Sequence, residues 1–226
     1  MSARRLSPLL LLGSLLALAG CGGDAPCPRC DTLVIAATGE PSSLLPPLVV
    51  ETVGRDISDL VYEHLADLAP GGAPIDSAAF RPALAERWER VDSLTLRFHL
   101  RKNARWHDGQ PVTAGDVVFS FDAFSDSVLD APARSYLEHQ IRATAEDSST
   151  VLVQFARAYP EQLYDATWHV RVIPAHVWRW IVHENWAPDS AIAHMIGSGP
   201  YRVAGWQHGQ SLTLVADTAG GRRTRI

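Results

Sequence analysis

Between Leu94 and Arg101 the chain alternates without a fault: Leu94, Leu96, Phe98 and Leu100 fall on one parity, Thr95, Arg97, His99 and Arg101 on the other. A period of two sends each set to its own face of a strand, whereas a helix would scatter both. The segment is therefore a half-buried strand. Asp92-Ser93 before it predicts a hairpin turn from a strand around Trp88 to Val91. Asp108-Gly109 after it predicts a tighter turn, because glycine accepts the positive φ that such turns require. Thr113-Ala114-Gly115-Asp116 then has the spacing of a helix N-cap, with a carboxylate at the positive end of the helix dipole. Val117, Val118, Phe121 and Phe124 supply the helix that follows. Strand, turn and helix in this order exclude an all-helical fold.

Other segments extend the pattern. Leu33, Val34 and Ile35 predict a buried strand over Thr32 to Thr38, and Pro41, Pro46 and Pro47 exclude a helix directly after it. Ile57, Leu60, Val61, Leu65 and Leu68 recur at helical spacing from Arg55 to Leu68, with Gly71-Gly72 as the stop. Val151 to Phe155 reads as a strand, Glu161 to Ala166 as a short helix, and Ala175 to about Glu184 as another. A hairpin closes the patterned part, from Gly199 to Val203 and from Ser211 to Val215, turning over Gly205 to Gly209. This order of elements gives an α+β (mixed α/β) architecture with an antiparallel or mixed sheet. From Thr218 to Ile226 the apolar periodicity stops, and residues 218–226 read as a disordered tail.

The first twenty residues read as an address. Arg4 and Arg5 precede an apolar run from Leu6 to Ala19 that is short for a membrane span. It ends in Leu18-Ala19-Gly20-Cys21, which resembles the lipobox of bacterial lipoproteins. That resemblance implies a signal peptide over 1–20, lipidation of Cys21, a tether over 21–31 and anchoring to a membrane in the cell envelope. The alternative is an uncleaved signal anchor. Cys27-Pro28-Arg29-Cys30 leaves a CxxC pair in the tether, read as a local disulfide or idle thiols rather than a redox or metal site.

Removing the signal leaves about 205 residues, room for one large domain or two small ones. A net charge of −5 offers no basic stripe, which argues against a nucleic-acid partner. Seven tryptophans predict a well-filled core, with a minority available to line a cleft. The histidines, among them His99, His107, His139, His169 and His176, show no consistent ligand spacing, and His183-Glu184 lacks the second histidine of a zinc helix. Gly197-Ser198-Gly199 lacks the frame of a nucleophile elbow. No catalytic residue, metal site or cofactor is expected.

Four stretches resemble the family 5 extracellular solute-binding proteins of bacterial ABC importers. These are Glu40-Pro41-Ser42-Ser43-Leu44-Leu45-Pro46, Val61-Tyr62-Glu63-His64-Leu65, the long run from Leu100 to Val117, and Gly197-Ser198-Gly199-Pro200-Tyr201 with Trp206. Leu45 stands where the family usually has Asp, and His64 where Gly is common. The resemblance implies a type II periplasmic binding protein fold, whose two lobes close on a ligand. Residues 32–62 and 171–217 would form an incomplete first lobe and 63–170 a small extra domain, with the second lobe missing. It implies capture of a peptide or another small solute outside the cytoplasmic membrane, and permease subunits as partners. Nickel-binding members leave a metal substrate as an alternative, and a non-binding fragment of an interrupted gene is another. By itself the chain is expected to bind peptides weakly or not at all. Glu51 and Thr52 align with a stretch that lines the cleft in peptide-binding relatives, so Glu51 would offer a carboxylate and Thr52 a hydroxyl; a solvated loop is the alternative. The long signature itself reads mainly as a stabiliser of the fold.

Overall fold

The alternating segment lies in the middle of a four-stranded antiparallel sheet. The computed structural model describes residues 32–129, 132–137, 139–181, 186 and 194–218. Strand β4 (Thr95–Leu100) pairs with β3 (Ala85–Asp92) on one side and β6 (Thr150–Phe155) on the other, and β5 (Gln140–Ala145) completes the order β3-β4-β6-β5. The register Leu96↔Val153 and Phe98↔Val151 puts apolar residues of both strands on one face. That face is buried, while Arg97 on the other face donates to Glu89 of β3 and Glu146 beyond β5.

Helix α2 (Ala114–Ser125) packs against β5. Its start follows the capping expectation in part: Asp116 accepts from both the N–H and the hydroxyl of Thr113, at 2.8 Å each. The hydroxyl thus donates to the carboxylate. Gly109 has φ +89°, as the Asp-Gly turn requires.

Two core clusters share the molecule. The first is built from residues 65–172, around Phe98, Phe121, Phe124, Trp106 and Phe155. The second gathers Leu44, Leu45, Val61, Tyr62, Ala123, Ile173, Trp178, Trp186 and Met195, and the hairpin β7 (Tyr201–Gln207) and β8 (Ser211–Ala216) packs on it through Val203, Trp206, Leu212 and Leu214. Short elements complete the fold: α1 (Thr52–Val61), the strand pair β1 (Ala66–Leu68) and β2 (Phe80–Pro82), α3 (Gln162–Trp168) and α4 (Ala175–Trp178).

Several sequence expectations need correction. Helix α1 stops at Val61 rather than Leu68, because Tyr62 turns extended (φ −118°, ψ 145°) and the chain re-enters as β1. Tyr62 joins one core and Leu65 the other, so no single helical face could satisfy both. The hairpin turn sits over His208–Gln210, since β7 runs on to Gln207. Thr32 to Thr38 is not a strand. The chain divides at Ala36 into a short N-terminal unit and the unit from Ala37 to Arg225. Leu33, Val34 and Ile35 are exposed, because an apolar run is buried in a sheet only where strands flank it, and none of the described strands pairs with it. Among the tryptophans Trp106, Trp178 and Trp186 are buried as expected, but Trp180 is 82% exposed.

Candidate functional site

The segment from Glu40 to Thr52 carries both expected ligand residues, and its two ends are tied down differently. At one end the Glu40 carboxylate accepts from Trp206 Nε1 (2.8 Å), His208 Nδ1 (2.9 Å) and Gly209 N (3.0 Å) of the hairpin. Desolvation pushes its carboxyl up, yet the bonds from Gly209, Trp206 and His208 together outweigh that and hold it below its ordinary value. In the middle, Leu44 and Leu45 are buried in the second core. An apolar residue at position 45 therefore fits its surroundings, where an unpaired carboxylate would have to be desolvated.

At the other end Glu51 and Thr52 open α1. Glu51 occupies the N-cap position with extended backbone, and its Oε2 accepts from Ser42 N at 3.3 Å. Hydrogen bonding from Ser42 keeps its carboxyl below the ordinary value, so it is an anion at neutral pH. Thr52 is exposed, beside the exposed Val50. The two residues are thus neighbours at the accessible start of α1, one charged and the other an exposed threonine, with the carboxylate half engaged by its own loop.

The remaining motif stretches converge at the far end of α1. After Val61 each residue of Tyr62-Glu63-His64-Leu65 enters a different neighbourhood. The Tyr62 hydroxyl donates to Met195 Sδ (3.2 Å), and full burial pushes its pKa up. Glu63, 3% exposed, accepts from Arg101 at 2.7 Å. His64 lies near Asp59 and Asp67 (3.5 and 3.7 Å) and against the Trp168 ring. Asp59 in turn accepts from Arg171 at 2.6 Å.

Gly197 and Gly199 press against the same helix end. A Cβ on Gly197 would sit 1.9 Å from Val61 O, and one on Gly199 would sit 2.6 Å from Leu60 O. Only glycine allows this approach. Gly199 N donates to Val61 O (2.8 Å), and the loop residue His107 contacts both glycines. On the other side of that loop, Asp108 pairs with His176 of α4 (2.8 Å), and Asp116 Oδ1 accepts from Ala175 N (2.9 Å). The signature run therefore joins the two cores as well as building the sheet. Sequence reasoning placed these motifs in order but did not see this junction, which joins residues about ninety positions apart.

Chemistry elsewhere is sparse. Ser198 Oγ is buried without a hydrogen-bond partner, and the His107 ring nitrogens engage Gly197 and Gly199 instead of it. Among the described residues no group of three or more His, Cys, Asp or Glu is placed to hold a metal ion. An open recess of about 500 Å³ lies between α2 and β5, lined by Val118, Phe119, Asp122, Ala143 and Arg179. Arg179 sits 5.9 Å over the Phe119 ring, and burial raises the Asp122 carboxyl. Cys21, Cys27, Cys30 and His183 lie outside the described residues, as do the signal, the tether and residues 219–226. No described helix is long and apolar enough to cross a membrane.

Comparison with known proteins gives this geometry its setting. Residues 79–221 match the profile described as bacterial extracellular solute-binding proteins, family 5 Middle. The chain is 28% identical over 198 residues to the periplasmic oligopeptide-binding protein OppA of Salmonella typhimurium, covering 81% of this chain and 35% of that protein. It superposes on NikZ from Campylobacter jejuni in complex with Ni(L-His) with a TM-score of 0.69 at 25% identity, over 84% of this chain and 36% of that one. Against Haemophilus influenzae OppA in complex with RPPGFSPFR the TM-score is 0.68 at 24% identity, over 80% and 37%. The chain thus spans about a third of the length of the curated relatives it matches.

Proposed function

Because the chain belongs to the bacterial extracellular solute-binding proteins of family 5 and shares the type II periplasmic binding protein fold over the part it spans, we propose that it serves as a solute-capturing component of an ABC importer. The observation that carries this reading is the packing of all four motif stretches along α1, three at its far end and Glu40–Pro46 beside its start. The solute is a peptide or a similarly small polar molecule, and permease subunits receive it. Glu51 and Thr52 contribute to capture: an ionised carboxylate at an accessible turn suits a peptide's ammonium group, and the adjacent hydroxyl suits a backbone partner. The protein acts by binding and release rather than by catalysis; the engagement of both His107 nitrogens with backbone supports that view for Ser198. The separation of the two cores supports a first lobe over 32–62 and 171–217 beside an extra domain over 63–170.

Titration calorimetry of the 226-residue chain with di- to pentapeptides tests the reading. The expected result is weak saturable binding that falls further in Glu51→Gln. Absence of heat with every peptide would overturn capture by this chain, in favour of a fragment that keeps the fold without the function.

The same reading places the chain at the membrane surface through lipid on Cys21. Burial of acyl chains contributes about 0.8 kcal/mol per methylene, enough for two or three chains to hold a folded domain durably. Cys21→Ala is expected to abolish acyl labelling and move the protein to the soluble fraction. Continued labelling of that variant would count against the lipobox.

A further inference from the structure

We propose that His107 is a pH-sensitive clasp, which in its neutral form holds residues 197–199 against the signature loop and on protonation gives up its Nδ1 bond to Gly197. Three hydrogen bonds join this one residue to that segment. Its backbone N donates to Gly197 O (2.8 Å), its Nδ1 accepts from Gly197 N (3.1 Å), and its Nε2 lies 2.9 Å from Gly199 O. A carbonyl oxygen only accepts and a backbone N–H only donates, so this pattern fixes the tautomer. Nε2 carries the proton and Nδ1 must be bare. A second proton on the ring would set N–H against the N–H of Gly197, replacing attraction by repulsion at a half-buried site.

Besides His107, a backbone bond from Gly199 N to Val61 O (2.8 Å) ties the segment to α1, and it holds the Gly199 end only. Gly197 and Gly199 have no side chains, and the Ser198 hydroxyl bonds to nothing. On their inner side Val61 blocks any shift toward α1. Loss of the Nδ1 bond therefore loosens the Gly197 end outward, while Gly199 stays tied to Nε2–H and to Val61 O.

Charges face the ring from each neighbouring element. Asp108 belongs to its own loop, Arg202 to β7 and Asp217 follows β8. His176 of α4 reaches the ring's surroundings through its 2.8 Å bond to Asp108. Asp217 and Asp108 favour the imidazolium and Arg202 opposes it, but burial is the largest influence and sets the imidazole below its ordinary 6.5. A histidine whose folded value is depressed contributes its stability in full above the unfolded value. That contribution falls away as the pH drops from there toward the folded value. The clasp is thus closed at neutral pH and opens in acid.

Amide exchange of the whole chain, resolved over peptides spanning 195–201 and 95–100 and corrected for intrinsic rates, tests the clasp from about pH 7.5 down to about pH 4.5. Protection at 195–201 is expected to fall about tenfold while that of β4 holds, and in His107→Gln the low-pH loss disappears, because glutamine does not titrate. Parallel loss in both peptides, or the same pH profile in the variant, overturns the proposal. If the variant does not fold, the native chain decides alone. The His107 ring signal and the Gly197 amide must then change with one midpoint below about 6.5, and protection that survives ring protonation sinks the clasp.

Discussion

The two cores are built on opposite plans. The sheet core draws on one continuous stretch, residues 65–172; β3 pairs with β4 and β5 with β6 across short turns, and only the β4–β6 pairing spans a longer interval. The second core collects Leu44, Val61, Ala123, Ile173 and Met195 from across the chain, and none of the described strands contains them. Continuity makes the first core cheap in loop-closure entropy, whereas the second depends on fasteners between distant segments. Those fasteners are the glycines on Val61, Asp116 on Ala175, and Glu40 on the hairpin.

The largest expected effect therefore lies at a fastener rather than in either core. Gly197→Ala puts a methyl group onto Val61 O, a backbone atom that cannot rotate aside. The expected loss is about 4 kcal/mol or more in urea unfolding, with disproportionate loss of the tertiary signal of Trp178 and Trp186. Unchanged stability in that variant would break the claim that the second core hangs on this junction.

Core truncations come next and ask whether the two plans fold as one. Phe98 is fully buried in the sheet core and Trp178 in the second. Each change to alanine is expected to remove about 3 to 5 kcal/mol. Because Tyr62 and Leu65 anchor one short segment in both cores, a cooperative transition is expected in both variants. Two separate transitions in Trp178→Ala, with the sheet melting last, would instead show that the continuous core stands by itself.

What the sequence made legible follows the same divide. β4, the Asp-Gly turn and α2 were readable because alternation, turn chemistry and capping act within a few residues. β5 escaped because it is an edge strand with only weak alternation in Gln140-Ile141-Arg142-Ala143-Thr144-Ala145. α1 was read too long because Leu65 and Leu68 continue its spacing by coincidence, while their burial belongs to the other core. Glu51 and Thr52 are proposed only through family likeness; nothing in their local pattern marks them. The His107 contacts were invisible for a different reason, since a histidine after tryptophan in a turn carries no local sign of partners at positions 197 and 199.

The smallest expected effect tests the fastener that lies in solvent. Glu40 accepts three bonds from the hairpin, but its exposure lets water compete for each of them. Glu40→Gln keeps an acceptor and a similar shape while removing the charge that Gly209 and His208 favour. Because the folded carboxyl lies below its ordinary value of 4.5, its contribution is present above that pH and is lost as the pH falls through the folded value. The native chain and the variant should therefore differ slightly in melting temperature near neutrality and converge in strong acid. No difference at any pH would instead mean that the hairpin is held by Trp206, which packs on the second core beside His208, with the carboxylate a bystander.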